Sequence, residues 1–331
     1  MKILYSKDNI LHIPGHEFFA GELIDHNDNP KRVEIIVEAL TKNNFQMDSQ
    51  FTQVPMELVK EVHSENYIKF FEDASDQLIE DQVMYPSVFV DPDNKSTFLQ
   101  TRLGKYSYDT YTPVRKMTYK LALDSASVAY TAALNLIQNK NEITYALSRP
   151  PGHHAEIMRM GGGCYLNNTA IAANYLSKHG KVAILDIDYH HGNGTQNIFY
   201  KRSDVTTVSI HATPNKMFPF TGFEDEIGDG EGRGYCKNYP LELGIKYNEF
   251  EKTLLNAIVF IKNLKPDFLV VALGYDTFKF DPVGKFLLEV EDYRKIAETI
   301  KSLGLPMIVV QEGGYNLEFL GDMALSFVAG L

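Results

Sequence analysis

Short apolar runs rich in β-branched residues recur along the chain, separated by longer segments whose apolar residues repeat at helical spacing. Runs of this kind, apolar on both faces, are expected of parallel strands covered by helices on each side. The candidates are Lys2 to Ser6, Phe51 to Val54, Ile143 to Ser148, Val182 to Ile187 and Val205 to Ile210, followed by Tyr239 to Leu243, Asp267 to Leu273 and Pro306 to Gln311. They predict a mostly parallel sheet of about eight strands in an α/β fold. Asn29 and Pro30 mark a helix start, with Val33, Ile36, Val37 and Leu40 on one face. Gly180 is expected to stop another helix after Ile171 to Leu176. No repeat or Pro- or Gly/Ser-rich linker divides residues 1–331, so one domain is expected. Only 81–115 breaks the rhythm, with six tyrosines or phenylalanines and three prolines. A long irregular segment in a compact domain usually belongs to a site or an interface.

Composition narrows the class. The 331 residues carry a formal charge of −11, which argues against general nucleic-acid binding, since that needs a basic face. No apolar stretch approaches the roughly 20 residues of a membrane helix. The first residues read as a strand rather than a signal peptide. Two cysteines, Cys164 and Cys236, are too few for a disulfide framework, and a reducing cytoplasm is expected.

Four motifs follow strand ends: His153-His154 after Ser148, Asp188 and His190 after Ile187, Gly274-Tyr275-Asp276 after Leu273, and Glu312-Gly313-Gly314-Tyr315 after Gln311. Ligands of open α/β sheets bind at the carboxyl ends of strands. Four strands delivering polar residues to one edge is hard to ascribe to packing. On an extended strand Asp186, Asp188 and His190 share a face. Asp188, His190 and Asp276 would make a three-ligand site that leaves a position for water or substrate, as catalytic zinc requires. The donor set also suits Fe(II), Mn(II) or Co(II). The plain alternative is that Asp188 caps a turn and Asp276 makes a loop hydrogen bond. His153 and His154 could transfer protons near neutrality, with Asp186 and Asn193 available to give them different proton affinities. Tyr315, after a diglycine, could reach a carbonyl oxygen and stabilise an oxyanion. Gly161-Gly162-Gly163 lacks the Lys-Ser/Thr ending of a phosphate loop and reads as pocket wall.

These residues carry a resemblance. Pro151-Gly152-His153-His154-Ala155, Gly163 to Asn168, Asp186 to Gly194, Leu273-Gly274-Tyr275-Asp276-Thr277 with Asp281-Pro282, and Glu312 to Tyr315 resemble, in order, the arginase-like histone deacetylase family. Tyr5-Ser6, Gly21-Glu22-Leu23 and the 81–115 segment look most similar to its bacterial acetylpolyamine amidohydrolases. The resemblance implies a single-domain arginase/deacetylase-like fold. It implies a zinc-dependent deacetylase acting on N-acyl amides of small amines, with zinc on Asp188, His190 and Asp276 and a structural potassium near Asp186, Asp188, His190 and Ser209. His154 would be base and acid, His153 with Asp186 its electrostatic partner, Asn193 its orienting residue and Tyr315 the carbonyl donor. Glu17 would face substrate ammonium groups, with Gly162, Gly163 and Phe218 lining the tunnel. Segment 81–115 would serve as tunnel rim or homodimer contact.

The departures concern substrate. Gly163 replaces an aromatic wall, which should widen the tunnel. Gln100 and Tyr111 stand where a relative is acidic, although Asp109 is near, and Lys279 should add positive charge near Asp276. A protein acetyl-lysine deacylase is the alternative enzyme. A two-manganese ureohydrolase would need an Asp-x-Asp pair where Gly274-Tyr275-Asp276 stands. A non-catalytic acetyl-ligand-binding protein should have lost a histidine or the tyrosine, and His153, His154 and Tyr315 are all present.

Overall fold

A computed structural model describes residues 1–19 and 21–331. Its strands are β1 (Lys2–Tyr5), β2 (His16–Phe19), β3 (Glu22–Asp25), β4 (Gln46–Asp48), β5 (Thr144–Leu147), β6 (Val182–Asp186), β7 (Val205–Ala212), β8 (Cys236–Leu241), β9 (Phe268–Leu273) and β10 (Met307–Gln311). Eight of them form one sheet in the order β4-β1-β5-β10-β9-β6-β7-β8, every pairing parallel. The expected α/β architecture is therefore observed. β2 and β3 form a separate antiparallel hairpin.

Each central strand is apolar on both faces because each face has its own core. Val182, Ile184, Val270 and Val310 pack beneath the helices Thr118–Gln138 and Asn168–Ser177. Their neighbours Leu185, Val271 and Val309 point the other way, against the helices Lys31–Lys42, Tyr247–Leu264, Val290–Lys301 and Leu320–Gly330. No helix among the described residues is long and apolar enough to cross a membrane.

Two expectations shift. The strand placed at Phe51 to Val54 is instead β4, five residues earlier in its start. Residues 51–54 lie against the helix Thr118–Gln138, where Thr131 Oγ1 and Ser127 Oγ accept the Thr52 and Val54 N–H groups, so side-chain hydroxyls replace a sheet partner. The helix before Gly180 ends at Ser177 with right-handed geometry. Gly180 is needed for another reason, since a Cβ there would meet Asp267 Oδ2 at 2.6 Å. Asn29 does act as expected, its Oδ1 accepting the Lys31 N–H.

His63 ties the helix Met56–Val62 to the segments that carry the motifs. Its Nδ1–H donates to the Glu156 carbonyl and its Nε2 accepts the Asn167 N–H, each at 2.9 Å, leaving no room for a second proton. Burial accordingly lowers its pKa from 6.5 to about 4. The unfolded chain binds a proton here that the folded chain refuses, so this contribution is intact above pH 6.5 and is lost as pH falls toward 4. Between about pH 7 and about pH 5 the wild type should lose about 2 kcal/mol more stability than His63→Gln in urea denaturation.

Candidate metal centre and catalytic pocket

Four adjacent central strands, β5, β10, β9 and β6, deliver the motifs to one edge. The strand β6 ends at Asp186, one residue short of the expected end at Ile187 and before Asp188 and His190. The alternation nevertheless continues. Ile187 and Tyr189 stay in the core with Leu185, while Asp188 and His190 turn toward the site. The turn is fixed by the carboxylates themselves: Asp186 Oδ1 accepts the Asp188 N–H, and Asp188 Oδ1 accepts the His190 N–H.

Asp188, His190 and Asp276 bring one potential ligand atom each to within 4.8 Å of one another. His190 Nδ1 lies 3.0 Å from Asp276 Oδ2 and 3.3 Å from Asp188 Oδ1. The structural roles coexist with this cluster, for Gly313 N–H donates to Asp188 and Tyr189 N–H to Asp276. Glycine makes room for the carboxylates: a Cβ on Gly274 would stand 2.1 Å from Asp188 Oδ2, and one on Gly313 at 2.5 Å. A side chain at position 274 would have to displace Asp188 or Asp276, which counts further against the Asp-x-Asp pattern of a ureohydrolase. Burial and the adjacent Asp188 push the Asp276 carboxyl up. Burial opposes a charge on His190 as well, yet the two carboxylates hold it at about 9. Two buried carboxylates that draw a proton onto an imidazole are a donor set suited to a divalent cation.

The two histidines beside this cluster are pushed in opposite directions. His153 Nδ1–H donates to Asp186 Oδ2 at 3.0 Å. Burial opposes its charge, but Asp188 and Asp186 raise its pKa to about 10. His154 Nδ1–H donates to the Asn193 amide oxygen at 2.8 Å. Burial, His153 and His190 drive its pKa well below the ordinary value, so it stays neutral with Nε2 unprotonated. The rings are 4.0 Å apart. Glu312, for which the sequence suggested no role, anchors this pair by accepting the Gly152 and His153 N–H groups and the Thr169 hydroxyl.

Tyr315 is held by two buried charged residues, Asp281 and Arg32. Asp281 Oδ2 accepts its N–H at 2.7 Å. Arg32 donates to the Gly314 and Glu312 carbonyls, and its guanidinium lies 4.7 Å from the phenol ring centre. The signal for Arg32 was present in the chain: it shares the apolar helix stripe with Ile36 and Leu40 at four-residue spacing. Asp28 balances it, accepting from both Arg32 and Arg149.

These groups open onto a cavity of about 650 Å³ lined by His154, His190, Tyr315, Glu17, Gly163 and Phe218, among others. Glu17, on β2, accepts from Asn27, and burial raises its pKa. Phe218 packs edge-on to His154 at 5.1 Å. Gly162 must be glycine, since a Cβ would strike the His154 ring at 2.3 Å. A Cβ at Gly163 would meet only His26, at 3.7 Å, so this wall does lack a side chain. Tyr111 also lines the cavity and packs on Phe218 at 5.7 Å, so the irregular segment supplies an aromatic face of its own. Two expectations about charge are corrected. Asp109 faces inward, accepting from Gly162, Tyr111 and Thr112, which spends its oxygens on the loop. The Lys279 ammonium is bound to Glu289. Gln100 lies on the helix Leu99–Lys105 and does not line the cavity. Asp186 and Ser209 face each other across β6 and β7 and share a second, small cavity that Asp188 and His190 do not line. The Ser209 hydroxyl is 2.8 Å from His211 Nδ1.

The profile of the histone deacetylase domain matches residues 26–331. The chain is 37% identical to acetylpolyamine amidohydrolase 2 of Pseudomonas aeruginosa, over 100% of this chain and 98% of that protein. It is 36% identical to the acetylpolyamine amidohydrolase of Mycoplana ramosa, over 100% and 99%. The crystal structure of an acetylpolyamine aminohydrolase from Burkholderia pseudomallei superposes with a TM-score of 0.95 at 34% identity, covering 100% of this chain and 98% of that one.

Chelator-treated protein should be stabilised by zinc, by about 2.7 kcal/mol at a hundred times the dissociation constant. Asp276→Asn should abolish the shift. Because the metal must displace a proton from His190, affinity should rise with pH toward about 9, and zinc titrations at several pH values check this.

Proposed function

The chain belongs to the histone deacetylase family, and from this we propose that it hydrolyses the N-acetyl amide of a small amine, an acetylated polyamine or a related acyl-amine. The observation that carries the reading is one cavity lined by His190 of the Asp188/His190/Asp276 cluster, by an unprotonated His154 and by Tyr315, with Glu17 also on its wall. Zinc fits the donor set, as would Fe(II) or Co(II). When bound, the metal supplies a Lewis acid that polarises the carbonyl and makes water more acidic.

The protein's own groups do the rest. His154 Nε2 takes the proton of the attacking water, which its neutral state permits. His153, charged and paired with Asp186, keeps a positive charge beside the negative charge that develops. The Tyr315 hydroxyl donates to the carbonyl oxygen as it becomes an oxyanion. His154 then returns its proton to the leaving amine. Glu17 receives the ammonium group of the substrate, and Phe218 flanks its methylene chain. A structural potassium ion at Asp186 and Ser209 belongs to the same proposal, supported by the polar cavity they share with Thr195 and Asn238. So does a homodimer, supported by exposed Phe89 and Phe98 on segment 81–115 and Phe18 and Leu23 on the hairpin. A solution mass of one chain would refute the dimer.

Zinc-loaded protein should deacetylate acetylputrescine and acetylcadaverine in preference to acetyl-lysine peptides. Tyr315→Phe should lower kcat by about 10²–10³-fold with KM little changed. Glu17→Gln should raise KM about tenfold for acetylputrescine but not for uncharged N-butylacetamide. Failure to hydrolyse any of these amides, or an unchanged kcat in Tyr315→Phe, would overturn the reading.

A further inference from the structure

His154 can serve as a base only while its proton sits on Nδ1 and the Nε2 lone pair is free. Its Nδ1 partner is the Asn193 carboxamide, at 2.8 Å, and a carboxamide has two unlike ends. Turned over, the amide would offer an N–H to Nδ1, drive the proton to Nε2 and remove the base. The carboxylate behind Asn193 forbids this. Glu156 Oε1, which can only accept, lies 3.2 Å from Asn193 Nδ2. The Tyr108 oxygen is also 3.2 Å from Nδ2 and accepts from it, while its own O–H can donate to the His154 carbonyl at 3.0 Å or to Asn193 Oδ1 at 3.4 Å. Glu156 is itself fixed: Arg159 Nε and Nη2 donate to Oε2 at 3.0 and 2.7 Å, leaving Oε1 for Asn193. Its side chain is only 15% exposed.

We propose that Glu156 is a positioning residue whose carboxylate sets the orientation of the Asn193 amide and, through it, the Nδ1–H tautomer of His154. The inference rests on the reading of His154 as the base. Glu156 does not line the cavity. A carboxylate at position 193 would need no such device, because its two oxygens are equivalent. That difference supplies a test that a merely structural role would fail.

In Glu156→Leu, kcat for acetylputrescine should fall by about ten- to a hundredfold with KM unchanged, a loss within what a general base supplies. Adding Asn193→Asp to Glu156→Leu should restore kcat to the level of Asn193→Asp alone. Ring-nitrogen NMR of His154, assigned by its loss in His154→Ala, should show Nδ1–H in the wild type, Nε2–H in Glu156→Leu and Nδ1–H again in the double variant. Should the leucine variant fail to fold, the isosteric Glu156→Gln replaces it. Its amide can present either end, so the loss is smaller and Asn193→Asp again reverses it. An unchanged tautomer in a folded Glu156 variant, or a lost kcat that Asn193→Asp does not restore, overturns the proposal. The NMR measurement needs no turnover. Absence of hydrolysis by the wild type would therefore undo the functional reading while leaving this inference decidable.

Discussion

Carboxylates buried at the carboxyl ends of adjacent parallel strands are the constraint on which this structure turns. Asp186, Asp188, Asp276 and Glu312 are all essentially inaccessible to water. A buried charge without a partner is among the most expensive things a fold can contain. Glu312 is satisfied by two backbone N–H groups and a hydroxyl, and Asp186 by the His153 cation. Asp188 and Asp276 have backbone donors and a shared imidazole, but no lysine or arginine reaches either among the described residues. Two carboxylates thus share one imidazole, and that imidazole, His190, lines the cavity. Asp28, a short distance along the same cavity wall, shows the contrasting solution, with two buried guanidinium groups closing the balance.

The same field separates the two neighbouring histidines. His153 lies against Asp186 and Asp188 and is drawn to its cationic form, whereas His154 meets that cation and a neutral amide and is driven the other way. Two identical side chains, adjacent in sequence and with rings 4.0 Å apart, acquire different chemistry from the charges and hydrogen-bond partners around them. The glycines around them act by subtraction. Positions 162, 274 and 313 place backbone where any Cβ would displace an imidazole or a carboxylate.

The sheet was legible because parallel strands buried on both faces leave unbroken apolar runs, as in Val182 to Leu185 or Phe268 to Leu273. β4 left no such run: Gln46-Met47-Asp48 is a short edge strand with its polar residues facing outward. The β2–β3 hairpin was equally silent, being largely exposed on both strands. The clustering of Asp188, His190 and Asp276 was readable from residue types at strand ends, since few other uses bring such side chains to one edge. Charge placement was less readable. Lys279 is close to Asp276 along the chain yet turns to Glu289, and Asp109, near Tyr111, turns inward to the loop. Proximity in sequence does not say which way a side chain faces in an irregular segment. Arg32 shows the reverse case, a charge on an apolar stripe whose position alone announced a buried partner.

The irregular segment that shapes the cavity is mechanically joined to His154, the proposed base. The Tyr108 ring occupies the space a Cβ on Gly161 would need, Asp109 and Thr112 accept or share hydrogens with the Gly162 and Gly163 amides, and Gly162 in turn abuts His154. Breadth of recognition and alignment of the base are thus inherited as a unit. A graft of residues 106–112 from another protein, intended only to alter selectivity, would tug on the imidazole unless 161–163 travelled with it.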